Sequence, residues 1–534
     1  MAEAGKNGNS GDEVEQRDVS SEGTPMPHRR MVTAALLVAM TVTALEQLVV
    51  SPAMPTIISQ LKGFEIYPWV VSAYLLAATV STPIYGKLAD LFGRKRVLLF
   101  GLALFSAGSM LSGAAQSMGQ LIAMRSIQGL GAGAVGPIVL TLLGDLFTLK
   151  ERARIQGLFA AVWGLSSVAG PMIGGWLTVE LGWRWVFFVS VPFAAIAIVM
   201  LVVAVHERVE PRRVAPIDWA GAGLLTAGLS GLLLIVLDGA SLGLTNCLIL
   251  GAATLALMTG FVAWERRAAD PILPIDLMTR RVIATSVAGS FLIGGILFGI
   301  ETYVPLYVQG VLGGTAKEAG RALMPLFLAW AVSVTVAARA VVRWGFRGAG
   351  VFGSCFIAAG MLTLAVGAAY PSTARLTFAV GLVVMGIGMG PTSLSFILAV
   401  QHAVNWGQRG VATGAVQFFR TIGGAIGVGA LGGALAWELS RLLKIAGAAG
   451  VDVGSALRTE THHLLPTGAL ALVQTSLAHS LRDVYLMMVF LSVGCLVCAV
   501  WLPGQGEPAS SETDQAAEAQ PVDIENLAIA GGEA

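Results

Sequence analysis

The chain has 534 residues, of which 55% are hydrophobic and 12% charged, and its mean hydropathy is +0.76. Water-soluble proteins carry about twice that charged fraction, so the soluble globular class is excluded. The formal net charge of +1 leaves no basic footprint for nucleic acid.

Residues 1–30 are polar, rich in Gly, Ser and Glu, and aperiodic. They read as a disordered cytoplasmic tail rather than a signal peptide, because acidic residues come early and the next apolar run is a full span. Apolar runs of about 20 residues then recur along nearly the whole chain, each long enough to cross a bilayer as a helix. The expected spans lie near 31–52, 67–86, 97–115, 120–143, 154–177 and 184–205, then 217–236 and 246–265, then 282–308, 319–341, 349–369, 375–400, 408–436 and 483–502. The grouping is six, two and six. This divides the chain into an N-terminal bundle (31–205), a linker with two added spans (206–281), a C-terminal bundle (282–502) and an acidic tail (503–534) read as disordered. With the N-terminus inside, most of the 33 Lys and Arg fall on the same side, so both termini are expected in the cytoplasm of a multi-pass cell-membrane protein.

Ionisable groups inside spans mark functional candidates, because a charge at bilayer depth is costly. Span 1 carries Glu46 just before Ser51-Pro52. Span 4 carries Arg125 and Gln128, three apart and so on one helix face, with Gly129 and Gly133 permitting a close neighbour. A buried Arg needs an anion, and Glu46 is the nearest candidate in kind; the alternative is an Arg125 that snorkels to the interface. Span 9 carries Glu301 on a face shared with Phe298, Val304 and Pro305, either as a docking group for cations or as a carboxyl near the outer interface. Span 13 carries Arg420, which either balances Glu301 or holds a structural pair.

Other patterns concern packing and turns. Between spans 2 and 3 runs Gly86-Lys-Leu-Ala-Asp90-Leu-Phe-Gly93-Arg94-Lys-Arg-Val97. Gly86 is expected to end a helix, Asp90 to offer a carboxylate to a helix N-terminus or an Arg, Gly93 to turn the chain, and Arg94 to Arg96 to mark the cytoplasmic face. Residues Ala338 to Arg347 fall where a repeat of this stretch is expected, with Val342 in place of Asp90. Span 5 carries Ser166, Gly170, Pro171, Gly174 and Gly175, a small-residue stripe with a bend. The segment 437–482 is expected to lie outside as a loop with a short amphipathic hairpin. His462, His463 and His479 there read as solvated rather than metal-bound. Cys495 and Cys498 read as packing rather than redox or metal residues.

The stretch from Gly86 to Val97 resembles the helix 2–3 loop signature of the major facilitator superfamily. Arg125-Ser-Ile-Gln128-Gly-Leu-Gly resembles that superfamily's span-4 signature, and Ser166 to Gly175 its antiporter motif, with Ser166 where Gly is usual. Leu45-Glu46 through Pro55 is similar to the span-1 signature of the fourteen-helix drug/proton antiporters, with Glu46 in place of Asp. The resemblance implies an all-α integral membrane fold of two six-helix halves plus two extra central helices. It also implies a multidrug exporter in which Glu46 and Arg125 couple the proton, while Gly86, Asp90, Gly93 and Arg94 serve the conformational cycle. Glu46, Gln128, Phe298, Glu301 and Arg420 would line the substrate cavity. No cofactor beyond the coupling proton is implied, and no catalytic or metal residue. The partners would be amphipathic, hydrophobic or cationic small molecules and the bilayer. Rival readings are a metabolite uptake system, and an exporter of a lipid or a specific secondary metabolite that docks a periplasmic partner through 437–482. An integral-membrane enzyme is disfavoured by the absence of H-E-x-x-H and G-x-S-x-G patterns.

Overall fold

The computed structural model describes residues 29–147, 149–205, 218–268, 271–273, 275–404, 408–446 and 468–504, which contain helices and turns but no strand. The helices are α1 (Arg29–Val49), α2 (Met54–Leu61), α3 (Pro68–Phe92), α4 (Arg94–Gly113), α5 (Met118–Leu146), α6 (Leu149–Glu180), α7 (Arg184–Phe188), α8 (Ser190–Ala204), α9 (Trp219–Glu265), α10 (Ile275–Met278), α11 (Arg281–Gly310), α12 (Ala316–Ala369), α13 (Ala374–His402), α14 (Arg409–Ile445) and α15 (Ala469–Val500). Twelve helices among the described residues are long and apolar enough to cross a membrane. One of them, α12, has 54 residues and breaks at Gly345 into two arms. The 32-residue α6 lies outside those twelve. The arrangement is consistent with the fourteen spans expected.

Several boundaries differ from the sequence reading. Gly86 does not end a helix: α3 continues to Phe92, and no neighbour approaches the place of a Cβ at Gly86. The apolar face outlasts the glycine, since Tyr85 and Ala89 are both buried. The outer loop expected over 437–482 is also shorter, because α14 runs on to Ile445 and α15 starts at Ala469. Leu435, Leu439 and Leu443 keep a buried stripe at helical spacing, as do Val473, Leu477 and Leu481. Glu438, Arg441 and Lys444 lower the hydropathy there without breaking the helix. His479 is thus helical, while His462 and His463 lie outside the described residues.

The turn at Gly93 recurs. Gly93 takes φ 93° and ψ 140° between α3 and α4, and Gly345 takes φ 71° and ψ 176° within α12. Both conformations are ones that L side chains rarely adopt. Two residues on, a cation closes the end of another helix in each case. Lys95 Nζ donates to the carbonyls of Val202 (2.8 Å) and Val205 (2.6 Å) at the end of α8. Arg347 Nε donates to the Leu502 carbonyl (2.8 Å) beyond α15. These are the free carbonyls of a helix C-terminus, where cations are favoured.

Packing differs between the two ends of the bundle. At the end away from Gly93, one hydrophobic cluster joins Leu48, Met54 and Tyr67 to Leu297, Tyr303 and Leu323. At the Gly93 end the clusters separate. One holds residues of α1, α3, α4, α5, α6 and α8, such as Leu36, Leu98 and Leu142. On the C-terminal side the joined cluster runs on to Phe396, Ala499 and Leu502, beside a further one with residues such as Ile283, Val400 and Val416. The first arm of α9 buries Leu225, Leu229 and Leu233 against Leu76 and Val80 of α3 and Phe418 and Ile422 of α14. Its second arm, Leu242–Glu265, is mostly exposed on the apolar perimeter.

Candidate functional site

In the last turn of α1, Glu46 has no exposure, and Arg125 of α5 is 3% exposed. Arg125 Nη1 lies 2.8 Å from Glu46 Oε1 and donates to Gln128 Oε1 at 2.7 Å. The guanidinium also sits over the Tyr74 ring at 4.1 Å and nearer the edge of reach of Phe187 at 5.7 Å. Arg125 therefore does not snorkel. An i, i+3 spacing places Gln128 beside it on the same face of α5, as helix geometry requires. Glu46 Oε2, Arg125 Nε and Gln128 Nε2 are buried and make no hydrogen bond with another described residue. The trio thus retains one acceptor and two donors beyond its own pairing.

Tyr74 links this trio to α11. It packs with Leu75, Phe298, Ala425 and Val428 in one cluster, and Glu301 lies one turn beyond Phe298. Glu301 is 7% exposed, and its backbone carbonyl accepts from Ser51 Oγ at the end of α1. Its carboxylate and the Arg420 guanidinium of α14 interact through their charges, yet no salt bridge joins them. Arg420 is half-buried. The second acid and cation are therefore neighbours rather than a bonded pair.

The span-5 stripe lies in α6 where helices from both groups meet. A Cβ at Gly170 would meet Leu48 Cβ at 2.7 Å, and one at Gly174 would strike the Val49 backbone, so this face lies against α1. A Cβ at Gly175 would fall 2.8 Å from Lys317 Cα, and the Pro171 carbonyl lies against Gly320. That face lies against α12. Ser166 is buried in the same helix. Close backbone contact on two sides needs small residues at these positions. Other bonds cross the same end: Gln309 Nε2 donates to the Pro52 carbonyl (2.8 Å), Thr56 Oγ1 to Gln309 Oε1 (3.2 Å) and Ser72 Oγ to the Ala425 carbonyl (2.7 Å). Gly93 and Arg94 sit at the turn into α4; Asp90 is in the last turn of α3, and its side chain lies outside the described residues.

Sequence reasoning missed Tyr74, Ser51 and Gln309 as parts of this site. An aromatic in an apolar helix gives no sign that an Arg will stack on it, and the other two act across about 250 residues of chain. Cys495 is buried with Sγ 3.6 Å from Ser354 Oγ, and none of the four cysteines forms a disulfide. No cluster of metal-ligating residues occurs among the described residues.

Long apolar helices around a buried ion pair define a multi-pass helical membrane protein. The chain belongs to the Major Facilitator Superfamily, whose profile matches residues 35–428, and so to a family of transporters rather than enzymes. It is 35% identical over 431 residues to the multidrug transporter protein MdtP of Bacillus subtilis (strain 168), covering 80% of this chain and 78% of that one. It is 33% identical over 402 residues to multidrug resistance protein 3 of the same organism, covering 75% and 78%. Among solved structures, the inward-facing, occupied form of a bacterial homolog of the human lysosomal transporter Spinster superposes with a TM-score of 0.62. It is 13% identical and covers 89% of this chain and 96% of its own, a likeness of fold alone.

Proposed function

We propose that this protein is a proton-coupled antiporter that exports amphipathic and hydrophobic, often cationic, compounds by alternating access. The buried Glu46–Arg125 pair carries the reading. A carboxylate with no exposure, held by one Arg and one Gln-linked donor network, has two ways to be neutralised: its cation or a proton. Proton uptake at Glu46 frees Arg125 and alters the Tyr74 platform that reaches Phe298 and Glu301. A substrate and a proton that compete in this way are coupled, and the coupling is reciprocal. No cofactor is required besides the proton. Export is favoured by the names of the two Bacillus relatives and by the α6 stripe, which rests against both α1 and α12.

In this reading residues 31–205 and 282–502 are the two moving halves, and 206–281 is an inserted pair whose first helix bridges α3 and α14. Gly86, Asp90, Gly93 and Arg94 serve the switch between conformers rather than substrate choice. With the Gly93 end in the cytoplasm, the joined cluster seals the outer end, and the separate clusters leave the halves free to part at the inner end. The test is uptake of labelled dyes into inside-out proteoliposomes under an imposed pH gradient. Glu46→Gln is expected to abolish uphill transport while dye binding stays measurable, and Glu46→Asp to retain transport. Full gradient-driven activity in the Gln variant would remove Glu46 from the mechanism.

A further inference from the structure

On the perimeter of the bundle, at the end sealed by the joined cluster, α6 and α12 leave a crevice of about 250 Å³ lined by Met172, Ile173, Trp176, Lys317 and Arg321. Its two ends differ in chemistry. Met172, Ile173 and Trp176 come from α6 and give it an apolar wall, with Met172 and Trp176 both exposed. Lys317 and Arg321 come from the first two turns of α12, four residues apart and so on one face. Lys317 is only loosely engaged, 3.9 Å from Glu180 Oε1, with both side chains well exposed. Arg321 makes no ion pair or hydrogen bond with another described residue. Arg321 lies about 8 Å along α12 from its first residue, at 1.5 Å per residue. A guanidinium so near the start of a spanning helix, beside a Trp, suits the acyl–headgroup boundary, where Trp rings also settle.

We infer that this crevice is a binding site for an anionic phospholipid, with its phosphate between Lys317 and Arg321 and an acyl chain along Met172, Ile173 and Trp176. Charge complementarity selects the occupant. Two cations, of which only Lys317 has an acid within reach, Glu180 at 3.9 Å, need an anion, and the adjoining wall is apolar and open to the bilayer. A soluble anion would satisfy the cations but leave Met172 and Trp176 uncovered; a zwitterionic lipid would bring its own cation against Arg321. Basic pockets between membrane helices recognise anionic headgroups on these grounds. The site spans the seam where Gly175 and Gly320 bring α6 and α12 together, so one lipid touches both helices. The inference concerns a lipid held at the perimeter and does not depend on what the protein transports.

The experiment is native mass spectrometry of the detergent-purified full chain titrated with phosphatidylglycerol or phosphatidylcholine, comparing wild type with Lys317→Gln/Arg321→Gln. Wild type is expected to hold one phosphatidylglycerol more tightly than phosphatidylcholine, and the double variant to weaken that lipid roughly tenfold or more. Arg321→Lys should restore part of the loss, which separates charge from misfolding. Millimolar inorganic phosphate should not displace the lipid. Equal binding of the two lipids, unchanged phosphatidylglycerol binding in the double variant, or displacement by phosphate alone would each overturn the proposal.

Discussion

The chain turns at Gly93 and at Gly345 with the same kind of backbone, and two residues later Lys95 and Arg347 each close the end of the last helix in their group. Up to that point the two groups of helices repeat each other. They part at two places. Asp90 has Val342 as its counterpart, and Val342 is 86% exposed. Glu46 and Arg125 close on each other at 2.8 Å, whereas Glu301 and Arg420 interact without a salt bridge. The turn and its cation recur because the backbone conformation and the bare helix end demand them wherever the bundle folds back. A carboxylate and a buried ion pair are not demanded by the fold, so under the proposed antiport their presence in one group alone assigns the coupling to that group.

The sharpest way to break this comparison is to remove one intramembrane cation at a time. Arg125→Met should destabilise the protein by about 3–5 kcal/mol, because it strands a buried carboxylate. Adding Glu46→Gln should recover most of that loss, and Arg420→Met should cost much less than Arg125→Met. Thermal unfolding in one detergent of wild type, Arg125→Met, Glu46→Gln and their double, analysed as a cycle with Arg420→Met alongside, measures the coupling. Equal costs for Arg125 and Arg420 would erase the distinction between the groups. At the shared turns, Gly93→Ala and Gly345→Ala should each cost about 1–3 kcal/mol, the range for side chains forced into such conformations. A large difference between the two would mean that one turn is not a repeat of the other. Smaller again, Lys95→Ala and Arg347→Ala should each lose about 0.5–1 kcal/mol of helix-end stabilisation, read as matching shifts in melting temperature. Glu301→Gln should change stability least. Its signature is selectivity: dye-efflux assays should show several-fold slower transport of monovalent cations and little change for neutral dyes. Equal slowing of both would give Glu301 a structural or coupling role instead.

The charged part of the site was legible because an ionisable group in an apolar run stands out. Glu46, Arg125 and Glu301 announced themselves this way, and helical spacing alone put Gln128 beside Arg125. The turn glycines were legible for a similar reason, since Gly93 and Gly345 each precede basic residues between apolar runs. Tyr74 was not, because a buried ring that carries a guanidinium looks in sequence like any core aromatic. Helix ends were the least legible feature. Gly86 looks like a terminator only by the rules of exposed helices, and inside a bundle it is merely small. Charges at Glu438, Arg441 and Lys444 looked like the start of a loop, although the leucine stripe beneath them continued.

The location of the joined cluster bears on how the protein is made. Leu48 and Met54 are buried against residues such as Leu297 and Leu323, which the ribosome adds about 250 residues later, roughly 12–50 s at the usual rate of synthesis. Through that interval one face of α1 and α6 has no protein partner, and lipid or an insertion factor must cover it. An unpaired Glu46 would also be a costly passenger in the bilayer. Its partner Arg125 comes from α5 of the same group, so the charge is neutralised as soon as α5 enters the membrane. Glu301 waits longer: Ser51 meets only its backbone carbonyl on arrival, and the Arg420 guanidinium that neighbours its carboxylate belongs to α14, made later. The order of translation thus gives the first acid a partner within its own group of helices, and leaves the second without its cation until α14 follows.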